Sequence, residues 1–242
     1  VTLLATKQLI CDLKLAKDAV KAEVLQRYFK TEPGGYGEGD KFLGVRVPKV
    51  RKIAIEYTKQ LNAKDLNSLL QSRWHEVRQA ALFVMVKQFE KAENQKQKEL
   101  FELYIKNINK GINNWDLIDL TSPKIVGAYL LKKDRSVLYK LAKGSLWHKR
   151  VSIISTFWFL KHGELQDTYK LAEVLLCEKH DLLQKAVGWS LREMGKFDFK
   201  LLCKFLDEYA ATMPRTALRY SLEKFPQERR QYYMKLNKKI VR

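Results

Sequence analysis

Glu76-Val-Arg-Gln-Ala-Ala-Leu82 decides the reading of this chain, because its pattern returns three times. The echoes are His148-Lys-Arg-Val-Ser-Ile-Ile154, Leu183-Gln-Lys-Ala-Val-Gly-Trp189 and Met213-Pro-Arg-Thr-Ala-Leu-Arg219. Each places a basic residue at a helix start and follows it with small and apolar residues. Arg78 to Arg150 is 72 positions, or two steps of 36; the next steps, to Lys185 and Arg215, are 35 and 30. Asn114-Trp-Asp-Leu-Ile-Asp119 fills the slot between Arg78 and Arg150. A repeat of this length with two helices per unit predicts an all-α, HEAT-like α-solenoid of stacked antiparallel helix pairs. No pair buries its apolar face alone, so stacking is obligatory, and the recurring Arg and Lys line one concave, basic face. The expected organisation is a single domain over 1–242, with N-terminal helices and a connector over 1–47 and repeats over 48–242.

Local patterning agrees. Ala80, Ala81, Val84, Met85 and Gln88 recur at helical steps, as do Leu171, Val174, Leu175 and Leu182, and no strand-like alternation is sustained. Four of the eleven glycines (Gly34, Gly35, Gly37 and Gly39) fall in one segment, Thr31 to Asp40. That segment is not a phosphate cradle. It lacks a following Gly-Lys-Ser/Thr, and Glu32, Glu38 and Asp40 repel phosphate. It reads as a turn-rich connector before a helix starting near Pro48, a residue suited to a first turn.

Composition narrows the partner. The 242 residues carry 46 Lys and Arg against 27 Asp and Glu, a net charge of +19. With 46% hydrophobic residues, wholesale disorder is excluded. The longest uncharged run, Val151 to Leu160, is too short to span a bilayer. Lys7 and Asp12 interrupt the opening segment, so no secretory leader is expected. Cys11, Cys177 and Cys203 are odd in number without CxxC spacing, which predicts no disulfide framework and a cytoplasmic location, nucleoid-associated in a bacterium. So large a positive excess opposes compaction, and nucleic acid is the favoured compensating partner over a solubility charge or a membrane-surface preference.

Few residues suggest chemistry. His75-Glu76 opens like a zinc HExxH motif, but position 79 is Gln, so no metal site is expected. In Trp115-Asp-Leu-Ile-Asp119 the i, i+4 spacing puts the Trp115 ring and the Asp119 carboxylate on one helix face, with Asp116 turned away. Taken alone, that pair reads as a core anchor and an Arg-paired or helix-end carboxylate.

Trp115-Asp-Leu-Ile-Asp119, Trp147-His-Lys-Arg150 and Ala186-Val-Gly-Trp-Ser-Leu-Arg-Glu193, in this order within the repeats, resemble the AlkD family of DNA alkylation repair glycosylases. Phe42-Leu-Gly-Val-Arg-Val-Pro-Lys-Val-Arg51 resembles it too, and the similarity runs roughly from residue 20 to 230. The Gly-rich acidic connector departs from the family pattern. The resemblance implies catalytic roles for Trp115, Asp119, Arg150 and Trp189. It also implies hydrolysis of the N-glycosidic bond of cationic alkylated purines, 3-methyladenine and 7-methylguanine, in duplex DNA, and the absence of a Lys placed beside Asp119 points to monofunctional action without strand nicking. A lesion that is already cationic needs no general acid. It needs a carboxylate to stabilise the oxocarbenium-like transition state, and indole faces and a phosphate-holding Arg to complete the set. No cofactor is expected, and the protein is expected to act as a monomer on damaged double-stranded DNA. Candidate DNA contacts are Arg78, Trp147, His148, Lys185, Arg192, Arg215 and Arg219, some of which instead brace one helix pair against the next. Trp74, Trp147 and Trp158 read as packing between repeats. Lys224 to Arg242 holds seven basic residues against one acidic residue and either caps the stack or extends the DNA track. The competing readings are a catalytically silent HEAT-like module for damaged, bent or branched DNA, and a protein-binding scaffold.

Overall fold

A computed structural model describes residues 2–236. Residues 237–242, the end of the basic C-terminal stretch, lie outside the described residues. The described chain is helical, with two isolated parallel bridges, Lys41 to Trp74 and Ile108 to Ile112, and no strand. The all-α class expected from the repeat is therefore what forms. Backbone contacts divide the chain into two compact units, one ending at Tyr129 and the other beginning at Leu130.

The first unit contains α1 (Thr2–Leu15), α2 (Ala19–Tyr28), α3 (Val47–Glu56), α4 (Ala63–Leu70), α5 (His75–Lys91), α6 (Asn94–Asn107) and α7 (Trp115–Asp119). A π-helical turn, Pro123–Gly127, follows, and α8 (Ala128–Leu130) carries the chain across the boundary. Pro48 sits in the first turn of α3, where its missing N–H costs nothing. The connector forms irregular turns. At the centre is α5, buried on nearly every side and packed against α3, α4 and α6, while α4 also packs on α6. Contact with the next helix and the next but one is the pattern of stacked pairs. Ala80, Ala81, Val84 and Met85 are fully buried as the spacing predicts. Half-buried Gln88 donates to the Thr58 and Leu61 carbonyls, satisfying acceptors of the α3–α4 turn.

The second unit contains α9 (Ser136–Leu141), α10 (Leu146–Ile154), α11 (Phe157–Leu160), α12 (Gln166–Val174), α13 (Asp181–Gly195), α14 (Phe199–Tyr209), α15 (Arg215–Ser221) and α16 (Gln227–Leu236). Its hub is α13, which packs on α10, α12, α14 and α15. Leu183, Ala186, Val187, Leu191 and Met194 make its buried stripe at helical spacing. Gly188 lets α15 approach, since a Cβ there would lie 2.3 Å from the Ala217 carbonyl oxygen. Leu171 and Leu175 are buried as expected, but Val174 is 52% exposed: it is the last residue of α12 and falls outside the apolar stripe.

Candidate functional site

Helix α7 is short and held at its N-terminal end by Asn114. The Asn114 side-chain oxygen accepts the Trp115 N–H at 2.9 Å, and the Asn114 amide donates to Asp40. Trp115 and Asp119, four residues apart on α7, are both half-buried, and Asp116 is buried. The Trp115 ring stacks on Phe29 (centroids 5.2 Å apart, planes 13° apart) and meets the Tyr28 ring edge-on at 6.1 Å. Tyr28 is 62% exposed, so an open aromatic edge lies beside Trp115. Tyr104 lies near Asp119. Burial pushes the Tyr104 phenol up, its bond to the Thr121 hydroxyl opposes that, and the Asp119 charge adds to it.

Beneath α7 lies a buried polar cluster that the sequence reading did not assemble. The His75 ring reaches Asp40 through Nδ1 at 2.9 Å and Asp116 through Nε2 at 2.8 Å. Burial opposes the imidazolium but is outweighed by the charge and hydrogen bond of Asp116 and by Asp40, so the His75 pKa is pushed up to about 9. His75 is thus cationic at neutral pH and donates from both nitrogens. Burial would raise the Asp40 carboxyl, yet His75 and Arg78 hold it below its ordinary value. Phe42 stacks on the His75 ring at 4.5 Å, and Gln79 Nε2 donates to Asp116 at 2.9 Å. Glu76 accepts the backbone N–H groups of Leu43, Gly44 and Val45 at 2.9, 2.8 and 3.2 Å. The apparent half of a zinc motif is therefore structural: His75 bridges two carboxylates and Glu76 ties down the irregular segment before α3. No cluster able to hold a metal ion occurs among the described residues.

Arg78 belongs to the same cluster. It is buried and donates to Asp40 at 2.5 Å, the Gly111 carbonyl at 3.1 Å, the Ser72 carbonyl at 3.0 Å and Asn113 at 3.3 Å. Of the two roles open to it in the sequence, bracing is the one this geometry fits. Asp40, expected to repel phosphate from an open loop, is buried as the counter-ion of Arg78 and His75.

In the second unit, Arg150 on α10 and Trp189 on α13 belong to packed helices. Arg150 is only 4% exposed, and its Nη1 donates to the Leu182 carbonyl at 2.5 Å. Trp189 is half-buried. Its indole N–H donates to Glu193 at 3.1 Å, and its ring meets Phe157 edge-on at 4.6 Å. Trp147 is buried, in keeping with packing, and Trp74 and Trp158 are half-buried. His148 bonds Ser145 at 2.9 Å, and burial lowers its pKa. Lys185 pairs with Asp181 at 2.6 Å, and Arg192 pairs with Glu223 and Glu193. Arg215 and Arg219 are exposed on one face of α15, four residues apart.

Tyr28 and Phe29 are the neighbours of Trp115 that sequence reasoning missed. The available signal was an adjacent aromatic pair closing α2 just ahead of the glycine-rich connector.

The sequence profile of a family described as DNA alkylation repair enzyme matches residues 9–225. No curated protein sequence is similar enough to count as a match. A solved structure described as a predicted DNA alkylation repair enzyme from Enterococcus faecalis superposes with a TM-score of 0.67 at 15% identity, covering 87% of this chain and 97% of that one. At that identity the likeness speaks for the fold alone; the profile, matched over most of the sequence, speaks for the family. The chain belongs to the DNA alkylation repair enzyme family.

Proposed function

We propose that this protein is a monofunctional DNA glycosylase that hydrolyses the N-glycosidic bond of cationic alkylated purines, 3-methyladenine and 7-methylguanine, in duplex DNA. A role in DNA alkylation repair comes with the family, which implies DNA as the substrate. The observation that carries the finer reading is α7, where half-buried Asp119 lies one turn from a half-buried Trp115 ring buttressed by Phe29. The lesion base leaves without protonation because it is already cationic. Positive charge then develops on the deoxyribose, and the Asp119 carboxylate stabilises it and aligns the attacking water. Trp115 and Trp189 present electron-rich faces to the cationic nucleotide, each worth about 0.5–2 kcal/mol. Arg150 holds a backbone phosphate. Among the remaining candidate DNA contacts, Arg215 and Arg219 are the exposed ones and fit phosphate contact best.

The test is incubation of the protein with methylated duplex DNA, with chromatography of the released bases and a gel for strand breaks. The expected result is free 3-methyladenine and 7-methylguanine with abasic strands left intact. Released base accompanied by nicking would refute the monofunctional assignment. A second reading, a silent module for damaged DNA, is favoured by one observation, the near-complete burial of Arg150 against the Leu182 carbonyl. Tight binding of methylated duplex with no base released would select it.

A further inference from the structure

Helix α7 has five residues, too few to hold its own place, so what seats it comes from outside the helix. Its anchors meet in one buried cluster. The His75 ring donates to Asp116 on α7 through Nε2 at 2.8 Å and to Asp40 in the connector through Nδ1 at 2.9 Å. Asn114 returns the second hold to α7: its amide donates to Asp40 at 3.3 Å, and its side-chain oxygen accepts the Trp115 N–H. His75 therefore grips α7 twice, once directly and once through Asp40 and Asn114. The same ring lies against Phe29 at 5.2 Å and Phe42 at 4.5 Å, and Phe29 is the residue on which the Trp115 ring stacks. One histidine thus joins the aromatic support of Trp115 to the polar support of the helix that carries it.

We propose that His75 is a positioning residue for the α7 site: by bridging Asp40 and Asp116 it sets the seat of α7, and with it the placement of Trp115 and Asp119. The two carboxylates differ in what else holds them. Asp40 also accepts from Arg78 and Asn114, whereas the Asp116 carboxylate accepts from Gln79 alone besides His75. Both are buried, so an imidazole that lost a proton leaves one carboxylate short of a donor in a dry site. Asp116, the less supported of the two, is the one that withdraws, and α7 leaves its seat on Phe29. The charged groups on the elements packed around the ring are Asp40 from the connector, Asp116 from α7 and, on α5 itself, Glu76 and Arg78. Glu76 is bound to three backbone N–H groups and Arg78 to Asp40. The chain from α2 to α3 presents the Phe29 and Phe42 rings, and its Lys21 and Arg46 line the pocket that His75 borders. Burial works against the imidazolium, but the Asp116 and Asp40 carboxylates keep it to about pH 9. The consequence for excision rests on the glycosylase reading; the seat of α7 does not.

Proton NMR of the free protein reads that seat as the nuclear Overhauser contact between the Trp115 and Phe29 rings. The stacked Phe101 and Tyr129 rings of the same unit, 4.3 Å apart and outside the cluster, serve as the reference contact. As wild type is taken from pH 7 to pH 10, the Trp115–Phe29 contact is expected to vanish while the reference contact survives. Loss of both contacts together, or persistence of the Trp115–Phe29 contact to pH 10, would overturn the proposal without any variant having to fold. Single-turnover excision of 7-methylguanine at pH 7 reads the consequence. His75→Gln should slow it about tenfold with duplex affinity held within about threefold, and should slow a Trp115→Ala protein no further. No slowing, or equal slowing in both backgrounds, would remove His75 from the positioning of this site. If wild type releases no base, the glycosylase reading fails, and the ring contact decides the role of His75 by itself.

Discussion

His75 is held as a cation between Asp40 and Asp116, and this has a thermodynamic consequence. A histidine whose folded pKa of about 9 exceeds the ordinary 6.5 stabilises the fold fully below pH 6.5. That contribution declines as pH rises from 6.5 to about 9 and is gone above. For a wholly buried group the shift corresponds to roughly 3 kcal/mol. Urea unfolding at pH 6.5 and 9.5 should show a loss of that order in the wild type and a nearly flat profile in His75→Gln; parallel profiles would remove His75 as the cause. This role was not visible in the sequence, because Asp40 and Asp116 lie 35 and 41 positions away and only the fold brings them together. The Trp115/Asp119 face was legible, because i, i+4 spacing within one helix needs no tertiary knowledge. Tyr28 escaped notice for the opposite reason: its contact with Trp115 joins α2 to α7. Exposed Tyr28→Ala should leave stability within about 0.5 kcal/mol of wild type while lowering the affinity for lesion DNA. A thermal melt beside a binding titration separates the two effects.

At the scale of elements, close packing depends on individual positions. Gly188 sits where α13 crosses α15, and a methyl group there would collide with the Ala217 carbonyl oxygen at 2.3 Å. Gly188→Ala should therefore cost about 1–3 kcal/mol, read as a lower denaturation midpoint at unchanged slope. An unchanged midpoint would mean that α15 shifts without penalty. Glu76 ties α5 to the segment before α3 through three backbone N–H groups, and Glu76→Gln should cost about 2–3 kcal/mol. Helix positions followed from apolar spacing and from Pro48, and the buried rows of α5 and α13 match that spacing. The spacing misplaced Val174, where α12 stops and its apolar row ends. It also gave no sign that Arg78 and Arg150 are buried, since a basic residue at a helix start looks the same whether it braces or binds.

For the molecule as a whole, the repeat period carried the all-α class, and the charge of +19 carried the expectation of a polyanionic partner. The structure separates the cations that make up this excess. Arg78 is engaged with protein acceptors, and Arg192 is paired with Glu223 and Glu193, whereas Arg215 and Arg219 are exposed. If the exposed pair meets phosphate, Arg215→Ala with Arg219→Ala should reduce the slope of log affinity against log salt by about 2 on any duplex sequence. The proposed reaction turns on one carboxylate, Asp119, within this basic molecule. The most direct test is single-turnover excision of 7-methylguanine by Asp119→Asn, with duplex affinity measured on the same sample. Excision slowed by about 10²–10³ with affinity held within about threefold is the predicted result. Excision at the wild-type rate, or a slowing that lost affinity fully accounts for, would contradict the role of Asp119.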